Sequence, residues 1–157
     1  MMYVVDTNVV SELRKVRSGK ADPQVVAWAA TVDAAALFVS AITVMELEMG
    51  VLAIERKDGA QGAALRMWLE QQVLPTFAER VLPIDTAVAQ RCARLHVPDK
   101  RSERDALIAA TALVHGMAVV TRNTSDFQAT GVRLINPWQG SVGSPHTWPA
   151  GAPAATP

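Results

Sequence analysis

Short apolar runs alternate along this chain with longer segments that carry helix signals, and this alternation restricts the fold more than any other feature. The runs are short enough for buried strands and too short for core helices. Parallel strands joined by helices form a sheet that is covered on both faces, so the sequence predicts a three-layer α/β/α domain with a short central parallel sheet. The predicted strands are Tyr3–Val5, Leu37–Ser40, Arg80–Ile84, Met117–Val120 and Arg133–Ile135.

Capping residues indicate where several helices begin. Asp22 is followed by proline at the first helical position, and Asp85 and Ser102 each precede a helical segment. The residues from Thr43 to Glu46 form a capping-box pattern, which predicts a helix start at that point. The predicted helices are Asn8–Arg14, Pro23–Thr31, Thr43–Arg56, Gly59–Val73, Thr86–Leu95 and Ser102–His115.

The composition is typical of a single domain that needs no covalent or metal cross-link. The chain has 157 residues, half of them hydrophobic, and this length can bury a sizeable core. Its single cysteine excludes an internal disulfide and a four-cysteine zinc site. Polar side chains interrupt every apolar window before it reaches the roughly 18 residues of a membrane span, and no signal-peptide pattern opens the chain. We therefore expect a cytoplasmic protein without membrane association.

The charge and the end of the chain set two further limits. Fifteen basic and fifteen acidic side chains cancel, so any nucleic-acid contact must rest on local basic groups, since general nucleic-acid binders carry a basic excess. The local basic candidates are Arg14, Lys15, Arg17, Lys20, Lys100, Arg101 and Arg104.

Residues 141–157 are rich in proline, alanine and glycine, and we expect a flexible tail after a domain spanning residues 1–140. In that tail, Trp148 is the side chain suited to docking.

Four carboxylates lie at or near the carboxyl ends of the predicted strands, where α/β sheets bind ligands. They are Asp6, Glu46, Asp105 and Asp126. Glu46 and Asp105 also stand three positions after a Thr or Ser, where an acid stabilises a helix start, and Asp126 also suits a turn cap. Asp6 ends an apolar strand, and we expect no capping role for it. Converging carboxylates repel one another unless a cation is bound, and oxygen ligands alone favour Mg²⁺ or Mn²⁺.

The same residues carry a family resemblance. The chain resembles PIN-domain ribonucleases, specifically the VapC-type toxins of VapBC toxin–antitoxin pairs. The motifs that carry the resemblance are VVDTNVVSEL, SAITVMELEMGV, RDALIAATALVHGMAVVTRNTSDF and VRLINPW, which together span residues 3–138. The resemblance implies that the four carboxylates form an acidic metal-binding quartet, and that Thr7 and Asn123 hold those carboxylates in place.

The resemblance further implies a Mg²⁺- or Mn²⁺-dependent endoribonuclease that acts as a homodimer. A cognate VapB-type antitoxin would inhibit it and would be its only link to operator DNA. In the mechanism we expect, a metal ion held by Asp6, Asp105 and Asp126 activates a water for attack on an RNA phosphodiester, and Glu46 completes the ligand set or orients the water. The charged segment from Lys100 to Arg104 departs from the small residues common in the family, and we expect it to alter the grip on substrate.

Two other functions fit parts of the pattern. A catalytically silent PIN-like regulatory or binding module would use the acids to fix a structural ion, although such a module should have lost at least one acid. An Asp-based phosphotransfer domain also places an aspartate after its first strand. A phosphatase of that kind needs a second aspartate where Asn8 stands, and a receiver domain needs a paired acid and a late lysine.

The apolar density of the second and third helices predicts the surface that a partner covers. More apolar side chains lie there than one core-facing helix face needs, and a groove of that kind accepts an amphipathic helix. Trp28 is either packed between helices or in contact with the antitoxin. The residues of this predicted groove are Val25, Val26, Trp28, Val44, Met45, Met49 and Val51.

Overall fold

The computed structural model describes residues 1–139 and contains a five-stranded, all-parallel sheet. The strands lie in the order β3-β2-β1-β4-β5, so β1 occupies the centre. All five predicted strands are confirmed, with slightly shorter bounds for three of them. The strands are β1 Tyr3–Val5, β2 Leu37–Ser40, β3 Val81–Leu82, β4 Ala118–Val120 and β5 Leu134–Ile135.

Helices cover both faces of this sheet and confirm the three-layer α/β/α prediction. A 3₁₀ turn follows α1, and a single π-helical turn at Leu69–Val73 joins α4 to α5. The helices are α1 Thr7–Leu13, α2 Pro23–Thr31, α3 Ala41–Lys57, α4 Gly59–Trp68, α5 Leu74–Thr76, α6 Thr86–Leu95, α7 Glu103–His115 and α8 Thr124–Phe127. The short helices α5 and α8 are absent from the predicted set.

The two faces of the central strand belong to two different hydrophobic clusters. Val5 packs with the α1, α2 and α3 side, whereas Val4 packs with Ile108 of α7 and with Phe127 of α8. Successive side chains of a strand point to opposite faces, and this explains why adjacent valines enter separate clusters. Both valines are at most 1% exposed. Both faces of the central strand are therefore covered by apolar side chains, and the first polar side chains follow at its carboxyl end.

The start of α3 differs from the capping-box prediction. The helix begins at Ala41, and the Ser40 hydroxyl accepts a hydrogen bond from the Ile42 N–H at 3.0 Å. Thr43 lies inside the helix and is fully buried. Strand β2 thus runs directly into α3 through Ser40, and Glu46 comes in the second turn of the helix, where it has no capping role.

The predicted partner groove is wrong in its buried part. Val25, Trp28 and Val51 are at most 5% exposed, and the Trp28 ring packs edge-on against Tyr3 with ring centroids 5.6 Å apart. Trp28 is therefore a core residue. Met45 and Met49 of the same predicted set remain exposed.

Two other expectations concern membrane-spanning helices and the end of the chain. Within residues 1–139, no helix is long and apolar enough to cross a bilayer. The predicted flexible tail, 141–157 with Trp148, lies outside the described residues, as does the last residue of the predicted domain 1–140.

Candidate metal centre at the carboxyl edge of the sheet

Asp6 stands at the carboxyl end of the central strand and is only 6% exposed. Its own N–H donates to the Val120 carbonyl of β4, so the backbone ties it to the neighbouring strand. The Asp6 carboxylate accepts hydrogen bonds from the Thr7 N–H at 2.8 Å and from the Thr121 hydroxyl at 2.7 Å. Asp6 is also the N-cap of α1, so the expectation that it has no capping role is wrong. The strand is followed at once by a helix, and the residue between them serves both elements.

Thr7 connects Asp6 to the acid on α3. The Thr7 hydroxyl donates to Glu46 Oε1 at 2.6 Å, so Thr7 contacts one of the carboxylates that we expect it to support. The other carboxylate oxygen of Glu46 lies 3.4 Å from a guanidinium nitrogen of Arg104. Glu46 is thus held from two sides, by the hydroxyl of Thr7 at the start of α1 and by the guanidinium of Arg104 in α7. The sequence pattern alone does not predict an arginine paired with one of the four acids.

The remaining two acids come from the first turns of α7 and α8. Asp105 is the third residue of α7, after Ser102 at the N-cap, in agreement with the prediction. Asp126 lies in α8, and its N–H donates to the Asn123 carbonyl at 3.0 Å. Gly116 ends α7 in a left-handed conformation with φ of 67°, and this turn leads the chain straight into β4.

Thr121, and not the Asn123 side chain, forms the side-chain hydrogen bond to Asp6 on this side of the site. Within the described residues the Asn123 side chain makes no hydrogen bond, whereas its backbone N–H donates to the Thr121 hydroxyl at 3.0 Å. Thr121 is fully buried and bonds Asp6 directly. The sequence does contain a signal for this residue, because Thr121 follows an apolar strand that pairs with the strand before Asp6.

The electrostatics show that the four carboxylates interact with one another. Burial raises the pKa of Asp6 above its ordinary value, with further contributions from the charges of Glu46 and Asp126, against the lowering effect of its bonds to Thr121 and Thr7. Burial also raises the pKa of Asp105, and the charges of the other three acids add to that effect. The cluster therefore carries mutual repulsion that the protein does not fully compensate.

This donor set fits a hard divalent cation by its chemistry rather than by a preformed coordination geometry. Among residues 1–139, no three Asp, Glu, His or Cys side chains converge closely enough to form a complete metal site. All four donors are carboxylates, which suits Mg²⁺ or Mn²⁺. The repulsion among them favours any cation that neutralises the cluster.

Comparison with known proteins agrees with this arrangement. The family model for the PIN domain matches residues 3–132, which include all four acids. The chain belongs to the PIN-domain family. Its relatives include the VapC ribonuclease Y4jK of Sinorhizobium fredii, 42% identical over 143 residues that cover 88% of this chain and 99% of the relative. Toxin FitB of Neisseria gonorrhoeae is 38% identical over 142 residues, covering 87% and 99% of the two chains.

Solved structures of PIN proteins confirm the fold. The crystal structure of FitAcB from Neisseria gonorrhoeae superposes with a TM-score of 0.79 at 37% identity, covering 88% of this chain and 99% of that chain. A toxin–antitoxin complex from Klebsiella pneumoniae gives a TM-score of 0.59 at 27% identity, over 87% and 98% of the two chains. The fold and the family are thus supported by both sequence and structure.

Proposed function

We propose that this PIN protein is a divalent-metal-dependent endoribonuclease and the toxin of a toxin–antitoxin pair. The observation that carries the proposal is the group of four acids from β1, α3, α7 and α8, in which burial and mutual repulsion raise the pKa of Asp6 and Asp105. Relatives of similar length are a ribonuclease and a toxin by name, and they support RNA cleavage as the activity.

Asp6, Glu46, Asp105 and Asp126 would hold the Mg²⁺ or Mn²⁺. A bound divalent cation supplies a low-pKa water nucleophile and stabilises charge on the phosphoryl oxygens. The chain's own contribution is to keep the acids in position before RNA arrives. Thr121 and the Thr7 N–H hold Asp6, while the Thr7 hydroxyl holds Glu46 at 2.6 Å. Because these supports are hydrogen-bond donors, they also favour the ionised carboxylates that a cation needs.

The test is cleavage of purified total RNA by the isolated protein with Mg²⁺, with Mn²⁺ and with EDTA. We expect cleavage that requires the divalent ion and that stops in EDTA. Asp105→Asn, purified in parallel, controls for contaminating nucleases. Equal cleavage by both preparations, or cleavage that survives EDTA, would contradict the proposal. Binding of RNA without any cleavage in either metal would favour the silent PIN-like module instead.

The phosphotransfer alternative receives no support from the site. The position two residues after Asp6 is Asn8, whose amide lies 3.4 Å from both Asp6 Oδ2 and the Thr121 hydroxyl. Asn8 Oδ1 also accepts a hydrogen bond from the Arg122 N–H at 3.2 Å. Asn8 therefore braces the backbone beside the site, and no second carboxylate is available there for phosphate chemistry.

We infer that the antitoxin contacts an apolar opening between α1 and the α4–α5 segment. Its volume is about 320 Å³, its walls include Leu13, Trp68 and Phe77, and Arg14 and Arg17 lie among its lining residues. An amphipathic helix of the antitoxin that carries acidic residues fits walls and charges of this kind. The neighbouring solved structures include FitAB bound to a DNA fragment. By analogy, this chain acts in the cytoplasm as a homodimer and reaches operator DNA only through its antitoxin.

Two matched substitutions test this contact surface. Val16 lines the opening and is 44% exposed, whereas Val114 on α7 is 37% exposed and does not line it. Val16→Gln should weaken antitoxin binding about fivefold through lost apolar burial of about 1 kcal/mol, and Val114→Gln should leave it unchanged. Calorimetric titration with the cognate antitoxin measures both. Equal affinities for the two variants would place the antitoxin elsewhere.

A further inference from the structure

Arg122 is held in an unusually constrained position directly beside the acidic cluster. It follows Thr121, whose hydroxyl bonds Asp6, so only one Cα–Cα step of about 3.8 Å separates the two residues along the chain. The Arg122 N–H donates to Asn8 Oδ1 at 3.2 Å, and the Arg122 carbonyl accepts from Asn136 Nδ2 at 3.4 Å. Side chains from α1 and from the segment after β5 therefore fix its backbone from both sides.

The Arg122 side chain is exposed and lies over an aromatic ring. Its guanidinium carbon is 5.1 Å from the centroid of the Trp138 ring. Trp138 is itself fixed, because its backbone N–H donates to Asn136 Oδ1 at 2.9 Å and its side chain packs against the hydrophobic core. The same asparagine thus positions both the arginine backbone and the tryptophan.

This guanidinium does not serve to neutralise the acids. No carboxylate within residues 1–139 lies within ion-pairing distance of Arg122, whereas Arg104 is paired with Glu46. The charge of Arg122 contributes to the lowered pKa of Glu12, an acid outside the cluster. Arg122 is therefore a fixed positive charge next to the acidic cluster, and no acid of that cluster forms an ion pair with it.

We propose that Arg122, supported by Trp138, binds a backbone phosphate of the RNA next to the bond that is cut. This inference rests on the proposed ribonuclease function and names a positioning residue for it. A polyanion approaching four carboxylates needs cationic groups that remain available, and Arg122 is one. Stacking occupies the face of the guanidinium and leaves the N–H donors at its edge for two phosphate oxygens. Because the tryptophan restricts the side chain, little further ordering is needed when RNA binds.

A control arginine with similar contacts lies at the other end of the sheet. Arg80 stacks on Phe77 at 5.6 Å and bonds the Leu37 and Thr76 carbonyls, and it precedes β3 at the amino end of that strand. Arg80→Gln removes the same charge and the same kind of stack as Arg122→Gln. Its stability cost should be at least as large, since it also breaks two hydrogen bonds. It should nevertheless leave RNA affinity unchanged, because it is far from the acids.

The experiment measures binding of a short fluorescent single-stranded RNA to Asp105→Asn protein, which does not cut it, over a range of salt concentrations. Adding Arg122→Gln should weaken binding about tenfold and reduce the slope of log affinity against log salt by about 0.7, the value for one phosphate contact on a single strand. Arg122→Lys should keep the slope but lose part of the affinity, because a lysine does not offer a planar fork. In the cutting protein, KM should rise more than kcat falls.

The outcomes separate this inference from the proposed function. If the parent protein neither binds nor cuts RNA, the proposed function fails. If the parent cuts RNA but Arg122→Gln and Arg80→Gln have the same affinity and salt slope, the role of Arg122 is wrong and the ribonuclease remains. If Arg122→Gln does not fold, as judged by circular dichroism, Arg122→Lys decides, and affinity equal to that of the parent overturns the proposal.

Discussion

Two groups of acidic side chains in this protein differ in how their charge is compensated. On the surface of α3, α4 and the π-helical turn after α4, one cation, Arg66, is surrounded by Glu48, Glu55 and Glu70, with nitrogen–oxygen distances from 2.5 to 3.2 Å. At the carboxyl edge of the sheet, four acids from distant parts of the chain share a single contact with Arg104, at 3.4 Å. The first group is a paired surface cluster, whereas most of the charge of the second group has no cationic partner within residues 1–139.

The pKa directions follow that difference. Hydrogen bonds from Arg66 hold the pKa of Glu55 below its ordinary value, in an exposed setting where water also favours the ionised form. Burial and like charges instead raise the pKa of Asp6 and Asp105. Acid clustering by itself is thus a poor indicator of a functional site. Clustering around a buried acid, with the charges left largely uncompensated, is the informative case, because folding alone gives no reason to keep it.

The largest expected effect is the loss of RNA cleavage in Asp105→Asn, by several orders of magnitude, because a ligand of the proposed metal is removed. Without metal, the same change should leave the melting temperature level or higher, since it removes one of four repelling charges. Glu55→Gln is the matched control in the paired cluster, and it should keep full activity without any gain in stability. If Asp105 were only a helix-start carboxylate, Asn would lower stability by up to about 1 kcal/mol and activity would survive.

Removing the cation of the paired cluster should have the opposite effect on stability. Arg66→Met leaves three glutamates close together without their shared partner, so the melting temperature should fall by a few degrees at low salt. RNA cleavage should be unchanged. Salt near 1 M screens such surface charges and should shrink the loss. A loss that does not depend on salt would show that Arg66 stabilises the helices by packing and that the contrast in charge compensation is wrong.

Arg104→Gln tests the one cation paired with the acidic edge within residues 1–139. An exposed ion pair contributes up to about 1 kcal/mol, and removing the competing positive charge should therefore tighten Mn²⁺ binding by up to about fivefold. Calorimetric titration with Mn²⁺ alone measures this, with Arg94→Gln on α6 as the control. Weaker Mn²⁺ binding would instead mean that Arg104 holds Glu46 in the geometry that the ion requires.

The smallest expected effect concerns a single compensated acid, Glu12. Its carboxylate accepts the Asp22 N–H at 2.8 Å and pairs with Lys15 at 3.1 Å, and the first of these bonds is the main cause of its lowered pKa. Because the folded pKa is depressed, the stabilisation is present above the unfolded value of about 4.3 and is lost as the pH falls through the folded pKa. Glu12→Gln should cost about 0.5 kcal/mol at pH 7 and nothing near pH 2. A cost that is the same at both values would exclude an electrostatic origin.

The sequence predicts the fold of this protein well because its signals are local. Apolar strand cores, a proline after Asp22 and the left-handed Gly116 each act within a few residues, and the structure agrees with all of them. The predicted start of α3 is wrong because Ser40 and Thr43 are both good caps and only the first faces free N–H groups. Helix α8 is a single turn, too short for a hydrophobic period to reveal.

The sequence predicts the site less completely because the support of the site is non-local. The four acids follow from the rule that strand ends meet at one edge, but the hydroxyl that holds Asp6 depends on β1 pairing with β4. Likewise, the contact between Arg104 and Glu46 joins residues 58 positions apart in the sequence. No spacing rule connects such residues, since only the packing of α3 and α7 against the sheet brings them together.

The most direct test of the proposed metal site is the change in melting temperature on adding Mg²⁺ or Mn²⁺, without RNA, for the parent, Asp105→Asn and Glu55→Gln. A ligand that binds only the folded state stabilises it in proportion to the logarithm of its concentration over Kd. We predict a clear rise for the parent and for Glu55→Gln, and a much smaller rise for Asp105→Asn from an equal or higher starting value. Equal rises in all three proteins would show that the cation does not bind at the acidic edge and would contradict the proposed metal site.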